Sequence, residues 1–216
     1  MMLYQKYAPR SWSDYVGQPK AVATVRRVLE RDGFDRGAWW IECAGANNSG
    51  TGKSALAGLI ADGLADPFFV TRLNGRQCTQ AAVEGISRDC RIMSWNADKP
   101  FKVWIIDEAH ALTQGAIDLF LSFLEDLPRH CVIIFTTTRA VDEGLFGAHD
   151  SGPFASRCHR VRLTNQGITQ AYAERLRACA VAEGLDGKPI SAYVACMRRQ
   201  KNNLRGGFQE LEDGTI

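Results

Sequence analysis

The sequence predicts an α/β domain built on a parallel sheet, followed by a small all-helical unit. Three observations carry this reading. Short apolar runs alternate with segments of helical periodicity as far as Leu163. After Leu163 the strand signal stops. The remainder divides at Gly184, Gly187 and Pro189 into three helical stretches. The expected boundary places residues 1–163 in the α/β core and residues 164–216 in the helical unit.

Taken in order, the first helix of the core is expected from Lys20 to Arg31. The run Trp39-Trp40-Ile41-Glu42-Cys43-Ala44 is short, apolar and followed at once by glycine, as a buried strand is. Gly52 to Leu64 carries Leu56, Leu59, Ile60 and Leu64 at helical spacing. Phe68 to Leu73 is expected as a second strand, Gln80 to Trp95 as a helix, and Lys102 to Asp107 as a third strand. Thr113 to Leu127 reads as a helix closed by Pro128, Cys131 to Thr136 as a fourth strand, and Arg160 to Leu163 as a fifth. Trp39, Trp40, Phe68 and Phe69 read as strand core. The glycine- and charge-rich stretch Val141 to Pro153 reads as a mobile loop. The three later helices are expected over Gly167–Ala182, Pro189–Arg199 and Asn203–Leu211.

Composition narrows the function classes. With 216 residues, 45% of them hydrophobic, the chain can bury a core without metal or disulfide staples. No uninterrupted apolar run is long enough to span a bilayer, and the first residues show no secretory signal, so a cytoplasmic protein without membrane contact is expected. The seven cysteines are odd in number and none stands in a C-x-x-C pair, which suits reduced structural thiols rather than a zinc site. A net charge of +2 says nothing for nucleic-acid binding in bulk.

The strongest motif is Gly50-Thr51-Gly52-Lys53-Ser54, placed between a predicted strand and a predicted helix. Glycines let backbone N–H groups curl around phosphate oxygens, and the helix N-terminus adds its positive dipole end. Lys53 is expected on the β- and γ-phosphates of ATP, and Ser54 on Mg²⁺. The full pattern has glycine where this chain has Asn47. A second motif, Val103-Trp104-Ile105-Ile106-Asp107-Glu108-Ala109-His110, ends a buried strand in two carboxylates. Asp107 is expected to hold the Mg²⁺ through water and Glu108 to polarise the attacking water. Alone, the acidic pair would equally suit a dipole-matched helix N-terminus. Both motifs fall at the carboxyl ends of strands, where open parallel sheets bind ligands.

Further landmarks carry a resemblance. Tyr4-Gln5-Lys6-Tyr7-Ala8-Pro9 with Tyr15-Val16-Gly17-Gln18, the helix Leu119 to Pro128, Ser156-Arg157-Cys158, and Asn203-Leu204-Arg205-Gly206-Gly207 occur in order. Together with the two motifs they resemble the clamp-loader branch of AAA+ ATPases, the type of DNA polymerase III gamma/tau and replication factor C small subunits. The resemblance implies a P-loop core with five parallel strands in the order 5-1-4-3-2 and a helical lid. It implies an adenine pocket lined from the first box (Lys6, Tyr7, Val16), a sensor 1 residue at Thr138 or its neighbour Thr137, and a sensor 2 arginine at Arg205. It implies that Arg157 acts as an arginine finger in a neighbouring subunit's site. Against that family the chain is expected to lack the collar helices, and it has alanine at Ala8 where the family usually has arginine.

The partners implied are other AAA+ subunits in a ring or arc, a sliding-clamp-like protein, and the DNA backbone. Arg198, Arg199, Lys201 and Arg205, and separately Arg157, His159, Arg160 and Arg162, form basic clusters suited to phosphate, though such clusters are also ordinary solvated faces. The competing reading is a nucleotide-dependent switch or scaffold with slow turnover, completed by a partner subunit.

Overall fold

The computed structural model describes residues 1–43, 49–92, 98–138 and 151–216. The elements run α1 (Leu3–Lys6), α2 (Pro19–Leu29), β1 (Gly37–Cys43), α3 (Lys53–Leu64), β2 (Val70–Asn74), α4 (Gln80–Asp89), β3 (Lys102–Asp107), α5 (Gln114–Glu125), β4 (Cys131–Thr136), α6 (Ser151–Ser156), β5 (His159–Leu163), α7 (Thr169–Ala182), α8 (Ile190–Arg199) and α9 (Leu204–Glu212). The strands pair in parallel in the order β2-β3-β4-β1-β5, which is the expected order read from the other edge.

Each element has a local cause. Pro19 opens α2 at its first turn, where the missing N–H leaves nothing unsatisfied. Thr79, Thr113 and Asn203 cap α4, α5 and α9, their side-chain oxygens accepting from the N–H of Ala82, Ala116 and Gly206. The sheet is covered on both faces, so its central strands are buried almost continuously rather than alternately. On one face α2 and α3 pack Val25, Leu56 and Ile60 against Trp39, Ile41, Val103 and Ile134. On the other, Phe135 meets the rings of Phe120 and Phe154 edge-on at 5.1 and 4.9 Å, with Trp40 beside them.

One charge lies inside this core. Glu42 of β1 is 1% exposed. Its carboxylate accepts from Trp40 Nε1 at 3.1 Å and, from the edge strand β5, from Arg160 at 2.8 Å and Arg162 at 2.7 Å. The register that sets Trp40 opposite Arg160 and Glu42 opposite Arg162 makes this network possible. Glu42→Ala is expected to lower the unfolding free energy by about 2–3 kcal/mol, because it removes charge-assisted bonds from the buried network. Denaturant unfolding of the two proteins measures it; an unchanged midpoint would show the network to be dispensable.

A third cluster belongs to the helical unit: Tyr172, Leu176, Tyr193, Met197 and Phe208 enclose it, and Leu3 of α1 joins them. The N-terminal helix, assigned by sequence to the core, therefore packs on the helical unit. Leu3 N–H donates to the Glu212 carboxylate at 2.7 Å. Gln18 ties the two halves, donating to the Thr164 carbonyl at 2.6 Å and accepting its N–H at 3.1 Å.

Three expectations need correction. Pro67 opens a 3-10 turn, Pro67–Phe69, so the second strand starts at Val70. Phe68 is 89% exposed rather than strand core, and Phe69 is only half-buried. The helix expected to reach Trp95 stops at Asp89, and residues 93–97 lie outside the described residues. The loop expected over Val141–Pro153 lies mostly outside them too, but its last three residues already belong to α6. All seven cysteines are free thiols, as expected. Among the described residues, no helix is long and apolar enough to cross a membrane.

Candidate functional site

The carboxyl ends of β3 and β4 and the loop that leads into α3 open on one cleft of about 520 Å³. Its floor is Ser49 to Ala55, one wall is Glu108 and Thr138, and the opposite wall is α1 and α9. Asn47 and the rest of residues 44–48 lie outside the described residues.

Glycine is required twice in the floor. Gly50 and Gly52 have φ of +68° and +95°, a left-handed backbone that side chains resist. A Cβ on Gly50 would also stand 1.7 Å from Asn203 Oδ1, and one on Gly52 2.9 Å from the Tyr15 hydroxyl. The loop's carbonyls are engaged from outside. Tyr15 donates to Gly52 O at 3.2 Å, Tyr172 to Thr51 O at 3.1 Å, and Leu204 N–H to Gly50 O at 3.4 Å. A loop held this way by its carbonyls presents its N–H groups to an anion.

Lys53 begins α3 and is 7% exposed, its ammonium 3.3 Å from Thr51 Oγ1. Burial pushes its pKa below the usual lysine value, partly offset by the negative charges of Glu108 and Asp107. Ser54 donates to Asp107 Oδ1 at 3.0 Å, Thr136 donates to the same oxygen at 2.7 Å, and Arg72 of β2 stands 3.5 Å from Oδ2.

Glu108 has φ +56° and ψ +47°, a left-handed conformation that costs a side-chain-bearing residue about 1–2 kcal/mol. The structure accommodates it through Gly75, where a Cβ would come within 2.4 Å of the Glu108 carbonyl oxygen. The turn aims Glu108 Oε2 at Thr138 Oγ1 and His110 Nδ1, each at 3.3 Å. The His110 nitrogen also lies 3.5 Å from Thr137 Oγ1 and 3.4 Å from Thr138 Oγ1. Both candidates for the strand-end sensor thus reach the same imidazole, and Thr138 alone of the two lines the cleft.

The lid supplies Arg205, whose guanidinium sits 5.2 Å over the Tyr4 ring, and Phe208, stacked on Tyr7 at 6.2 Å. Tyr4, Gln5, Tyr7, Ala8 and Pro9 all line the cleft. The Tyr7 hydroxyl bonds Glu183, and that bond raises its pKa to about 12. Lys6 and Val16 are not among the lining residues: Lys6 pairs with Glu183 at 2.6 Å, and Val16 packs against the core of the helical unit. Arg157 lies away from this cleft, directly after α6, bonded to the Pro153 carbonyl at 2.7 Å and to the Glu125 carboxylate of α5. Within one chain it does not meet Lys53.

The residues fit a magnesium nucleotide. The glycine floor leaves a concavity that side chains would fill, and the buried Lys53 lines it. Ser54 and Asp107 offer two hard oxygens for Mg²⁺, which keeps few protein ligands and takes the rest from phosphate and water. Among the described residues no His, Cys, Asp and Glu cluster forms a self-sufficient metal cage. Sequence reading did not single out Arg72, Thr136 or Tyr172. Only the β2–β3 register brings Arg72 beside Asp107, and only the lid's docking brings Tyr172 to the loop.

The family model described as ATPase family associated with various cellular activities (AAA) matches residues 46–147. The chain is 31% identical over 162 residues to DNA polymerase III subunit gamma/tau of Mycoplasma pneumoniae, a match covering 63% of this chain and 22% of that protein. It is 27% identical over 192 residues to DNA polymerase III subunit tau of Bacillus subtilis, covering 77% and 32% respectively. With subunit gamma of Buchnera aphidicola it shares 28% over 162 residues, 63% of this chain and 42% of that protein. The chain thus spans well under half of the length of these relatives. Among solved structures, the RuvB Holliday junction branch migration motor of Thermotoga maritima superimposes with a TM-score of 0.71 at 18% identity, covering 95% of this chain and 64% of that one. At that identity the likeness speaks for the fold alone. Through residues 46–147 the chain matches the AAA family, and over most of its length it is related in sequence to the gamma/tau subunits of DNA polymerase III.

Proposed function

We propose that this chain binds Mg-ATP in the cleft and hydrolyses it as one subunit of a ring or arc of AAA subunits. The observation that carries the reading is that Lys53, Ser54, Glu108, Thr138 and Arg205, from four separated stretches of sequence, line one cleft, with Asp107 bonded to Ser54 at its edge.

Each residue then has a task. The Lys53 ammonium and the N–H groups of Gly50 to Gly52 neutralise and position the phosphates. Ser54 and Asp107 would hold the Mg²⁺, which would supply charge neutralisation at the phosphates. Glu108 takes the proton from the attacking water, with Thr138 and His110 fixing the direction of its carboxylate. Arg205 reports the γ-phosphate to the lid. Tyr4, Tyr7 and Phe208 form the base end of the cleft, with Lys6 and Val16 supporting its outer wall. Arg157, remote from its own cleft, serves the cleft of a neighbouring subunit.

In this reading the chain works like a clamp-loader subunit, loading or remodelling a sliding-clamp-like partner on DNA during replication or repair. The relatives' names support that role, and Arg198 and Lys201 offer exposed charge for the DNA backbone, whereas Arg199 is paired with Glu210. The second reading, a slow nucleotide switch completed by a partner, is favoured by one contact: Arg157 is latched onto Glu125 of its own chain.

ATP hydrolysis per subunit, followed against protein concentration with and without primed DNA, separates the two. The motor reading expects specific activity to rise with concentration and further with DNA. Flat activity near zero while ATP still binds would support the switch.

A further inference from the structure

Within the same cleft Arg72 is a cation that none of the roles above uses. It lies on β2, opposite Ile105 of β3, so that Arg72 and Asp107 are diagonal neighbours on one face of the sheet. Its Nη1 stands 3.5 Å from Asp107 Oδ2, while Ser54 and Thr136 hold the other oxygen. The Arg72 side chain is 48% exposed and lies along α3, where a methyl group on Gly58 would sit 3.7 Å from Nη2. Asp62 lines the same end of the cleft. So the carboxylate that is to hold Mg²⁺ already faces a half-exposed guanidinium.

We infer that Arg72 is the exchangeable counter-cation of the metal position: it neutralises Asp107 while no divalent cation is bound, and must leave it when one binds. The inference rests on the nucleotide-site reading. Two like charges cannot share one carboxylate at this distance without mutual repulsion, so the guanidinium and the metal compete. The same positive charge offsets Asp107 and Glu108 against the phosphates of a nucleotide that arrives without metal. Arg72 therefore weakens binding of the metal alone and strengthens binding of the metal-free nucleotide. Being half-exposed, the guanidinium has the freedom to swing from Asp107 toward the terminal phosphate, and its Coulomb effect is moderated by water.

The test uses two binding measurements on the full chain, neither of them an activity. Mn²⁺ binding to the nucleotide-free protein is followed by electron paramagnetic resonance. Binding of a fluorescent ATP analogue is followed in EDTA. Arg72→Gln is expected to tighten Mn²⁺ binding and weaken metal-free nucleotide binding, each by up to about fivefold, a limit set by the exposure of the pair. Arg72→Lys is expected to keep the metal-free nucleotide affinity near that of the unaltered chain. The opposed signs are the signature, because a residue that merely props the cleft would weaken both. Unchanged affinities in Arg72→Gln, or affinities that fall together, overturn the inference while leaving the nucleotide site intact. If the unaltered chain binds neither probe, the nucleotide-site reading itself fails, and this inference with it.

Discussion

Glu108→Gln is expected to lower ATP turnover by about 10²–10⁴-fold and to leave ATP binding within a few-fold of the unaltered chain. Glutamine preserves the shape of the side chain and still accepts from Thr138, whose hydroxyl lies 3.3 Å from Glu108 Oε2. It cannot take a proton from water. The phosphate-binding parts, Lys53 and the loop from Gly50 to Gly52, are on another element and stay in place. The strain at φ +56° belongs to the backbone and is unaffected by the exchange. Measuring kcat by phosphate release and Kd by equilibrium binding in the same samples distinguishes loss of the base from loss of the site. Equal loss of both would place Glu108 in binding rather than chemistry.

The second large effect concerns Arg157. Arg157→Ala is expected to lower turnover by about 10³–10⁵-fold at protein concentrations where subunits associate, with nucleotide affinity nearly unchanged. Arg157 sits after α6, bonded to Pro153 and Glu125, outside its own cleft, so a catalytic effect of its removal has to pass through another chain. The Glu125 contact has to break first. Glu125 is 60% exposed, which makes the latch a weak one. Turnover of Arg157→Ala equal to that of the unaltered chain at all concentrations would remove the arginine from the mechanism.

The central strands were legible because they are buried on both faces: β1, β3 and β4 are near-continuous apolar runs, broken in β1 by Glu42, and each was placed within two residues. The edge strand β2 was not. β2 alternates weakly, and the aromatic pair Phe68-Phe69 carried more strand signal than the true strand Val70–Asn74, although Pro67 had already set a turn. The helical unit was visible as three periodic segments, but its partnership with α1 was not. Leu3 is a single apolar residue on a helix of one turn, and only tertiary packing assigns it. The motif residues of the cleft were readable because phosphate chemistry demands them at fixed spacing. Arg72, Thr136 and Tyr172 were not, since they join the site through strand register and lid docking, which no local pattern encodes. Lys6 and Val16 mark the limit of carrying a motif over residue by residue: their box lines the cleft through Tyr4, Tyr7 and Pro9 instead.

The claim on which the account turns is that each site is completed by its neighbour. Mixing two inactive variants tests it most directly. Arg157→Ala keeps Glu108 but gives no finger, and Glu108→Gln gives a finger but has no base. Where a Glu108→Gln subunit abuts an Arg157→Ala subunit in the required order, one intact site forms. ATP hydrolysis by the mixture is therefore predicted to rise well above the sum of the two variants measured alone, and to grow with total protein concentration. A mixture that hydrolyses ATP no faster than that sum, while both variants still bind ATP and still associate, would contradict completion in trans.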